Sequence, residues 1–128
     1  MDKTDETLKH WRQVPFSYEN EEDCLMSLAD HVQRVTGFDF GKEWRGKYRN
    51  EQQAFELIDK YGGSFKMINA SGLEQTDKPE RGDIVLVDVK GRDIGGLFTG
   101  DSVAMRLPHG VGEINAKFIK INHAWRVR

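Results

Sequence analysis

Apolar positions in the first 75 residues recur at spacings of three and four. From residue 82 onward they come in short runs broken by glycine-containing turns. The first pattern is that of helices with one buried face, the second that of strands. A short charged helix is expected over 4–12, with Leu8 and Trp11 three apart on one side. It ends at Val14-Pro15-Phe16, because the residue before a proline is pushed out of the α region. Asp23 can cap a second helix, whose stripe is Cys24, Leu25, Leu28, Ala29, Val32 and Val35, and Gly37 stops it. Residues 38–49 read as a loop holding Trp44 and Tyr48. Asn50 can cap a third helix carrying Ala54, Leu57, Ile58 and Tyr61, closed by Gly62-Gly63. A fourth short helix falls near Phe65–Ala70.

The period changes at Arg81. A strand over Ile84–Val87 follows a Gly82-Asp83 turn, which Asp83 is expected to hold through its own backbone. Lys90–Asp93 turns the chain into Ile94–Thr99, and Gly100-Asp101 is a hairpin signal before Ser102–Leu107. Pro108-His109-Gly110 turns into Gly112–Ile119, and Ala124–Val127 forms a last strand. Short consecutive strands joined by tight turns predict an antiparallel sheet. Helices first and strands second predict an α+β fold, with the N-terminal helices packed on one face of the sheet.

Length and composition narrow the class. A chain of 128 residues fits one domain, 1–128, without linker or repeat. Its 19 basic and 21 acidic residues leave a net charge of −2, which argues against a nucleic-acid partner. No run approaches the ~18–20 apolar residues of a membrane span. Met1-Asp2-Lys3-Thr4-Asp5-Glu6 has no apolar stretch, so no secretory signal is expected and the chain reads as soluble and made in the cytosol. The single cysteine excludes an internal disulfide and a multi-thiolate zinc site. Four scattered histidines make a poor metal site, and no cofactor is expected.

The sharpest chemical feature is Asp23-Cys24 at the start of the amphipathic helix. A cysteine there feels the helix dipole and free backbone N–H groups, which favour thiolate and place a papain-like nucleophile. Glu19, Glu21, Glu22 and Asp23 crowd the same turn and oppose a second anion. The competing reading makes Cys24 a small core residue on the apolar stripe. A thiol enzyme also needs a base. His31 follows on the same helix about 10 Å away at ~1.5 Å per residue, too far to bond. His10, His109 and His123 lie elsewhere in the sequence, with His109 at a hairpin tip and His123 near the C-terminus. Gly37, Gly41 and Gly46 match no phosphate-binding loop. Trp44, Arg45, Lys47, Tyr48 and Arg49 mix aromatic and basic residues as single-strand binders do, but a loop packing Trp44 and Tyr48 onto the core is the favoured reading. Trp125, in a basic C-terminal stretch, either closes the core or meets a partner.

The order of short motifs resembles a family of small proteins from the tail-gene region of tailed bacteriophages and prophages. The matching residues are Trp11 with Pro15-Phe16, Asp23-Cys24, Thr36-Gly37-Phe38-Asp39 and Arg45-Gly46-Lys47-Tyr48. Ala54 with Ile58, Gly62-Gly63, Gly82-Asp83-Ile84-Val85 and Ala124-Trp125 follow, so the resemblance covers about residues 11–127. That family is similar in turn to the NlpC-type cell-wall peptidases, which implies a papain-like fold. The peptidases' nucleophile position corresponds to Cys24 and their Gly-Asp strand to Gly82-Asp83. Their histidine position falls at Asp93-Ile94, where this chain has no imidazole.

Two functions follow from the resemblance. One is a non-catalytic component of a phage tail tip or baseplate, on a peptidase scaffold that has lost its base. It would be made in the host cytoplasm, carried in the virion tail, bound to other tail proteins, and expected to expose aromatic patches at Trp44, Tyr48, Phe98 or Trp125. The other is a cysteine peptidase or amidase acting on cell-wall peptides during phage entry. There Cys24 is the nucleophile, His109 or His123 the base, and backbone N–H groups near Cys24 the oxyanion donors. A small cytoplasmic interaction module unrelated to phage is the third class.

Overall fold

The computed structural model describes residues 1–128. Four helices come first: α1 (Lys3–Gln13), α2 (Cys24–Thr36), α3 (Glu51–Lys60) and α4 (Ser64–Asn69). Five strands follow: β1 (Ile84–Val89), β2 (Arg92–Phe98), β3 (Ser102–Leu107), β4 (Gly110–Asn115) and β5 (Ile121–Trp125), with a 3₁₀ turn at Ala116–Phe118. Local chemistry sets the helix ends. The side chains of Asp2, Asp23 and Asn50 each accept a hydrogen bond from the backbone N–H three residues on. Gly37 closes α2 at φ 83°, a conformation that spares only glycine a Cβ clash.

The strands make one antiparallel sheet in the order β4-β3-β2-β1-β5. Alternation along the strands builds two cores. Ile84, Leu86, Leu97, Ala104 and Trp125 face the helices, where they join Leu8, Trp11, Leu28, Val32, Met67 and Ile68. Val85, Val87, Phe98, Val103, Met105 and Ala124 form a second cluster, covered by Ile94, Leu107, Ala116, Ile119 and Ile121. Both faces of the sheet are thus buried although helices cover only one. Two adjacent glycines in β2 permit the close approach. A Cβ at Gly95 would stand 2.5 Å from Leu28 Cδ1 of α2, and one at Gly96 would stand 2.5 Å from Val103 Cγ1 of β3.

Several expectations are corrected. The turn before β2 is only Lys90-Gly91, both at positive φ, and β2 begins at Arg92. β4 stops at Asn115 because the chain tightens into the 3₁₀ turn, and β5 begins at Ile121 rather than Ala124. Asp83 does more than hold its turn. It is fully buried, its Oδ2 accepts from Glu80 N at 2.8 Å, and its Oδ1 accepts from Val127 N at 3.0 Å. The start of β1 is thereby tied to the end of the chain. Trp44, Tyr48, Phe98 and Trp125 form no exposed patch: they are buried, Trp125 completely. The first two come in from the loop onto the helical core, while Phe98 and Trp125 take opposite faces of the sheet. Tyr61, placed on the core stripe of α3, is instead 41% exposed, because α3 ends at Lys60 and the stripe ends with it.

His31 is a core residue of α2. Its Nε2 lies 2.8 Å from the Gly82 carbonyl and its Nδ1 lies 2.7 Å from Thr7 Oγ1, which also accepts from Arg34. The pattern is satisfied by a neutral ring with the proton on Nε2 and the Thr7 hydroxyl donating to Nδ1. Burial holds its pKa below the ordinary 6.5 against the Gly82 carbonyl, with Arg34 adding to the fall and Asp2 and Asp83 opposing it. The unfolded chain takes up a proton below about pH 6.5 that the folded chain refuses, so this contribution is lost as pH falls through that window. In urea melts, the stability advantage of the parent over His31→Gln should be largest at pH 7 and shrink toward pH 5. A gap that stays constant over that range contradicts the neutral buried ring.

Candidate functional site

The beginning of α2 is built from four parts of the chain. Asp23 is 2% exposed, and its Oδ2 accepts from the Tyr48 hydroxyl at 2.7 Å and from Met26 N at 3.5 Å. Its Oδ1 has no partner. Burial pushes the Asp23 carboxyl above its usual range, against the pull of the Tyr48 bond and the helix N–H groups. Tyr48 arrives from the loop before α3. Tyr18 arrives from a tight hairpin closed by Ser17 and Glu22, and sits edge-on to Tyr48 at 6.4 Å and to Phe16 at 5.0 Å. β2 passes beneath: the Cys24 carbonyl oxygen lies 3.9 Å from where a Cβ at Gly95 would be.

Cys24 is the first residue of α2 and keeps some exposed surface, unlike Leu25, Leu28 and Ala29 behind it. Its thiol is pushed up from 9.0 to about 12, by burial first and by the adjacent Asp23 second. The N–H groups of Leu25 and Cys24 and the charge of Arg92 pull the other way and do not win. The helix dipole is therefore too weak here to make a thiolate: desolvation and a neighbouring carboxylate both favour the neutral form.

No imidazole is bonded to Cys24. His10 pairs with Glu22 at 2.8 Å, and His31 is held by Thr7 and Gly82. His109 is exposed at the β3-β4 tip, and His123 stacks on Phe65 at 4.2 Å between centroids. Gly95 pairs with Leu86, and Leu86 with His123. His123 is therefore two strands from the place where Cys24 meets the sheet, ~10 Å at ~4.8 Å per strand. Asp93 lies on the same face of β2 as Gly95, two residues away, and accepts from Asn122 Nδ2 at 2.8 Å. Its neighbour Arg92 lies 3.9 Å over the Phe55 ring and 3.4 Å from Asp59. The four principal surface clefts lie elsewhere, and Cys24 lines none of them.

The loop with mixed aromatic and basic residues is pinned down. Arg45 Nη2 bonds Asp30 at 2.6 Å, its Nε bonds Asp39 at 2.8 Å, and its Nη1 lies 3.6 Å from Glu21. With Trp44 and Tyr48 in the core, only Lys47 and Arg49 of that set stay exposed. Nowhere do three His, Cys, Asp or Glu side chains converge as a metal ion would require. No helix is long and apolar enough to cross a membrane.

One buried charge escaped the sequence reading. Arg106 of β3 is 2% exposed. Its Nη1 bonds Glu22 at 3.0 Å and Ser27 Oγ at 3.1 Å, and its Nη2 bonds the Val14 carbonyl at 2.6 Å and the Pro15 carbonyl at 3.4 Å. Glu22 also holds His10. A single guanidinium thus fastens α1, the Ser17–Glu22 hairpin and α2 to β3. The available signal was alternation: Arg106 follows Ala104 on the helix-facing side of β3, where solvent exposure is not expected.

A family model described as a domain of unknown function (DUF6950) matches residues 2–127. No curated protein matches the chain.

Proposed function

Since the chain belongs to the DUF6950 family over almost its whole length, and that family carries no assigned activity, we propose from the residues themselves that it is a non-catalytic component of a bacteriophage tail. In this reading it serves assembly or binding in the tip or baseplate region, on a papain-like scaffold of NlpC type that no longer cleaves peptides. The ordered motifs between Trp11 and Trp125 support the kinship. So does the arrangement in which a cysteine opens a helix lying on the strand that follows a Gly-Asp strand. Fold alone assigns no chemistry, and the site decides.

One observation carries the loss of catalysis. At the position where the resembled peptidases carry their imidazole, this chain has Asp93, bonded to Asn122, while burial pushes the Cys24 thiol up to about 12. A carboxylate there cannot form the thiolate–imidazolium pair that activates the nucleophile, because it adds a second negative charge. The test uses particles and activity together. Tails purified from a host carrying the gene should contain the chain by mass spectrometry, and a strain making only Cys24→Ala should assemble infectious particles at the parental titre. Absence from particles would refute the tail assignment. Release of cell-wall peptides by the parent but not by Cys24→Ala would establish the peptidase instead.

A further inference from the structure

We propose that β4 pairs through its outer edge with β4 of a second copy, antiparallel and centred on Glu113, so that the two sheets run on as one. β4 lies at one end of the sheet order and has no buried residue, whereas every other strand has at least two. The ladder fixes the direction of its free backbone groups. Thr99 N donates to the Ser102 carbonyl, so Ser102 faces β2 and, by alternation, Val103, Met105 and Leu107 face β4. Their partners Ile114, Gly112 and Gly110 turn inward. The N–H and C=O groups of Val111, Glu113 and Asn115 therefore point outward from the edge, with no backbone partner. Another extended chain is the group that matches such a row. The opposite edge of the sheet is guarded. Thr76 N donates to the Ala124 carbonyl and Arg126 N to the Glu74 carbonyl, and a register shift kinks β5. β4 keeps a regular register and has no such cover.

Two residues of β4 make the occupant a second copy. Gly112 and Ile114 lie on the face away from the helices, opposite Met105 and Val103 of the second cluster. Gly112 is not at positive φ, and a Cβ there would meet only Leu107 Cδ1, at an ordinary 3.6 Å. Neither backbone conformation nor packing within the chain requires glycine, although glycine weakens a strand and often marks close approach by another chain. Ile114 is the one large apolar side chain that β4 leaves exposed, at 37%. With the two-fold axis at Glu113, Val111 of one copy meets Asn115 of the other, and the two Glu113 residues meet, in hydrogen-bonded pairs. Between them, Ile114 of each copy falls directly opposite Gly112 of the other, where cross-strand side chains touch. The pairing covers the exposed isoleucine and fills the gap at the glycine twice over, as an isologous contact requires. Its cost is the Glu113 pair on the helix side, where like charges stand opposite each other and each keeps its own Arg12 at 3.8 Å.

The inference does not depend on the tail reading, and its test is separate. Sedimentation velocity on the full chain should show a monomer–dimer equilibrium that shifts with concentration. Glu113→Pro removes the outward N–H at the centre of the pairing and no bond to β3, so the monomer keeps its fold. It should weaken the dimer by about tenfold or more, since the symmetry removes two hydrogen bonds at once. Ile114→Lys should weaken it comparably, by losing both plugs over Gly112. Glu113→Gln should tighten it a few-fold, because the like-charge contact disappears. Hydrogen exchange on the parent gives a readout that needs no variant: the amides of Val111, Glu113 and Asn115 should be protected at high concentration and exchange freely on dilution. A parent that stays monomeric would overturn the proposal. So would a dimer indifferent to Glu113→Pro, one that Glu113→Gln weakens, or one in which those three amides exchange as fast as in the monomer, since each places the contact elsewhere.

Discussion

Replacing Arg106 by alanine is expected to destabilise the protein by ~3–5 kcal/mol, the usual cost of breaking a buried ion pair from one side. Glu22, with only 14% of its side chain exposed, would be left without its strongest partner, and the Val14 carbonyl and Ser27 hydroxyl would lose theirs. Domains of this size are stable by ~5–15 kcal/mol, so the variant should lose a large part of that margin and melt at a markedly lower temperature. Arg106→Lys should recover only part of the loss. An ammonium is a point charge and cannot span Glu22, Ser27 and Val14 together as a planar fork does. Arg106→Met with Glu22→Gln should cost less than the sum of the two single changes, because the double variant strands no charge. Urea denaturation of these five variants, Arg106→Ala, Arg106→Lys, Arg106→Met, Glu22→Gln and the double, checks this. An Arg106→Ala protein within about 1 kcal/mol of the parent would show the network to be dispensable.

Cys24 of the folded chain should react with iodoacetamide about a thousandfold more slowly near neutral pH than a free cysteine. Only thiolate reacts, and raising the thiol from 9.0 to about 12 lowers the thiolate fraction by that factor. The rate should climb with pH to well beyond 9 without a plateau. Asp23→Asn should speed alkylation only in part, since burial is the larger cause and the carboxylate the smaller. Unfolding in urea should restore ordinary reactivity. The same shift makes Cys24 a source of alkaline destabilisation: the unfolded chain releases the thiol proton from about pH 9 and the folded chain only near 12. Stability held below 9 therefore drains away across that interval. Fast labelling at pH 7 in the native state would mean an activated thiol and reverse the proposed function.

The helices were legible because their signals act over three or four residues. Asp23 and Asn50 cap the helices they were expected to cap, and Gly37 ends α2 in the left-handed conformation. The antiparallel order of β1 to β4 was legible for the same reason, since two-residue turns such as Lys90-Gly91 leave neighbouring strands little choice. The start of β5 was harder. It follows a 3₁₀ turn rather than a hairpin, and its pairing with β1 shifts register between Leu86 and Val87.

The candidate site divides along the same line. That Cys24 opens a buried helix beside an acidic residue could be read from neighbours in the chain. Whether burial or the dipole prevails could not, because Tyr18, Tyr48 and Arg92 come to it from other segments. Asp93 and Asn122 are 29 residues apart, and Glu22 and Arg106 are 84 apart. The sequence by itself determined the helices, the early strands and the α+β order, since propensity, capping and turn chemistry are short-range. Only the tertiary structure decided which aromatics are buried, which carboxylate holds Arg106, and that the lone thiol stays protonated. Desolvation and Coulomb interactions depend on distance in space, and folding alone sets that distance.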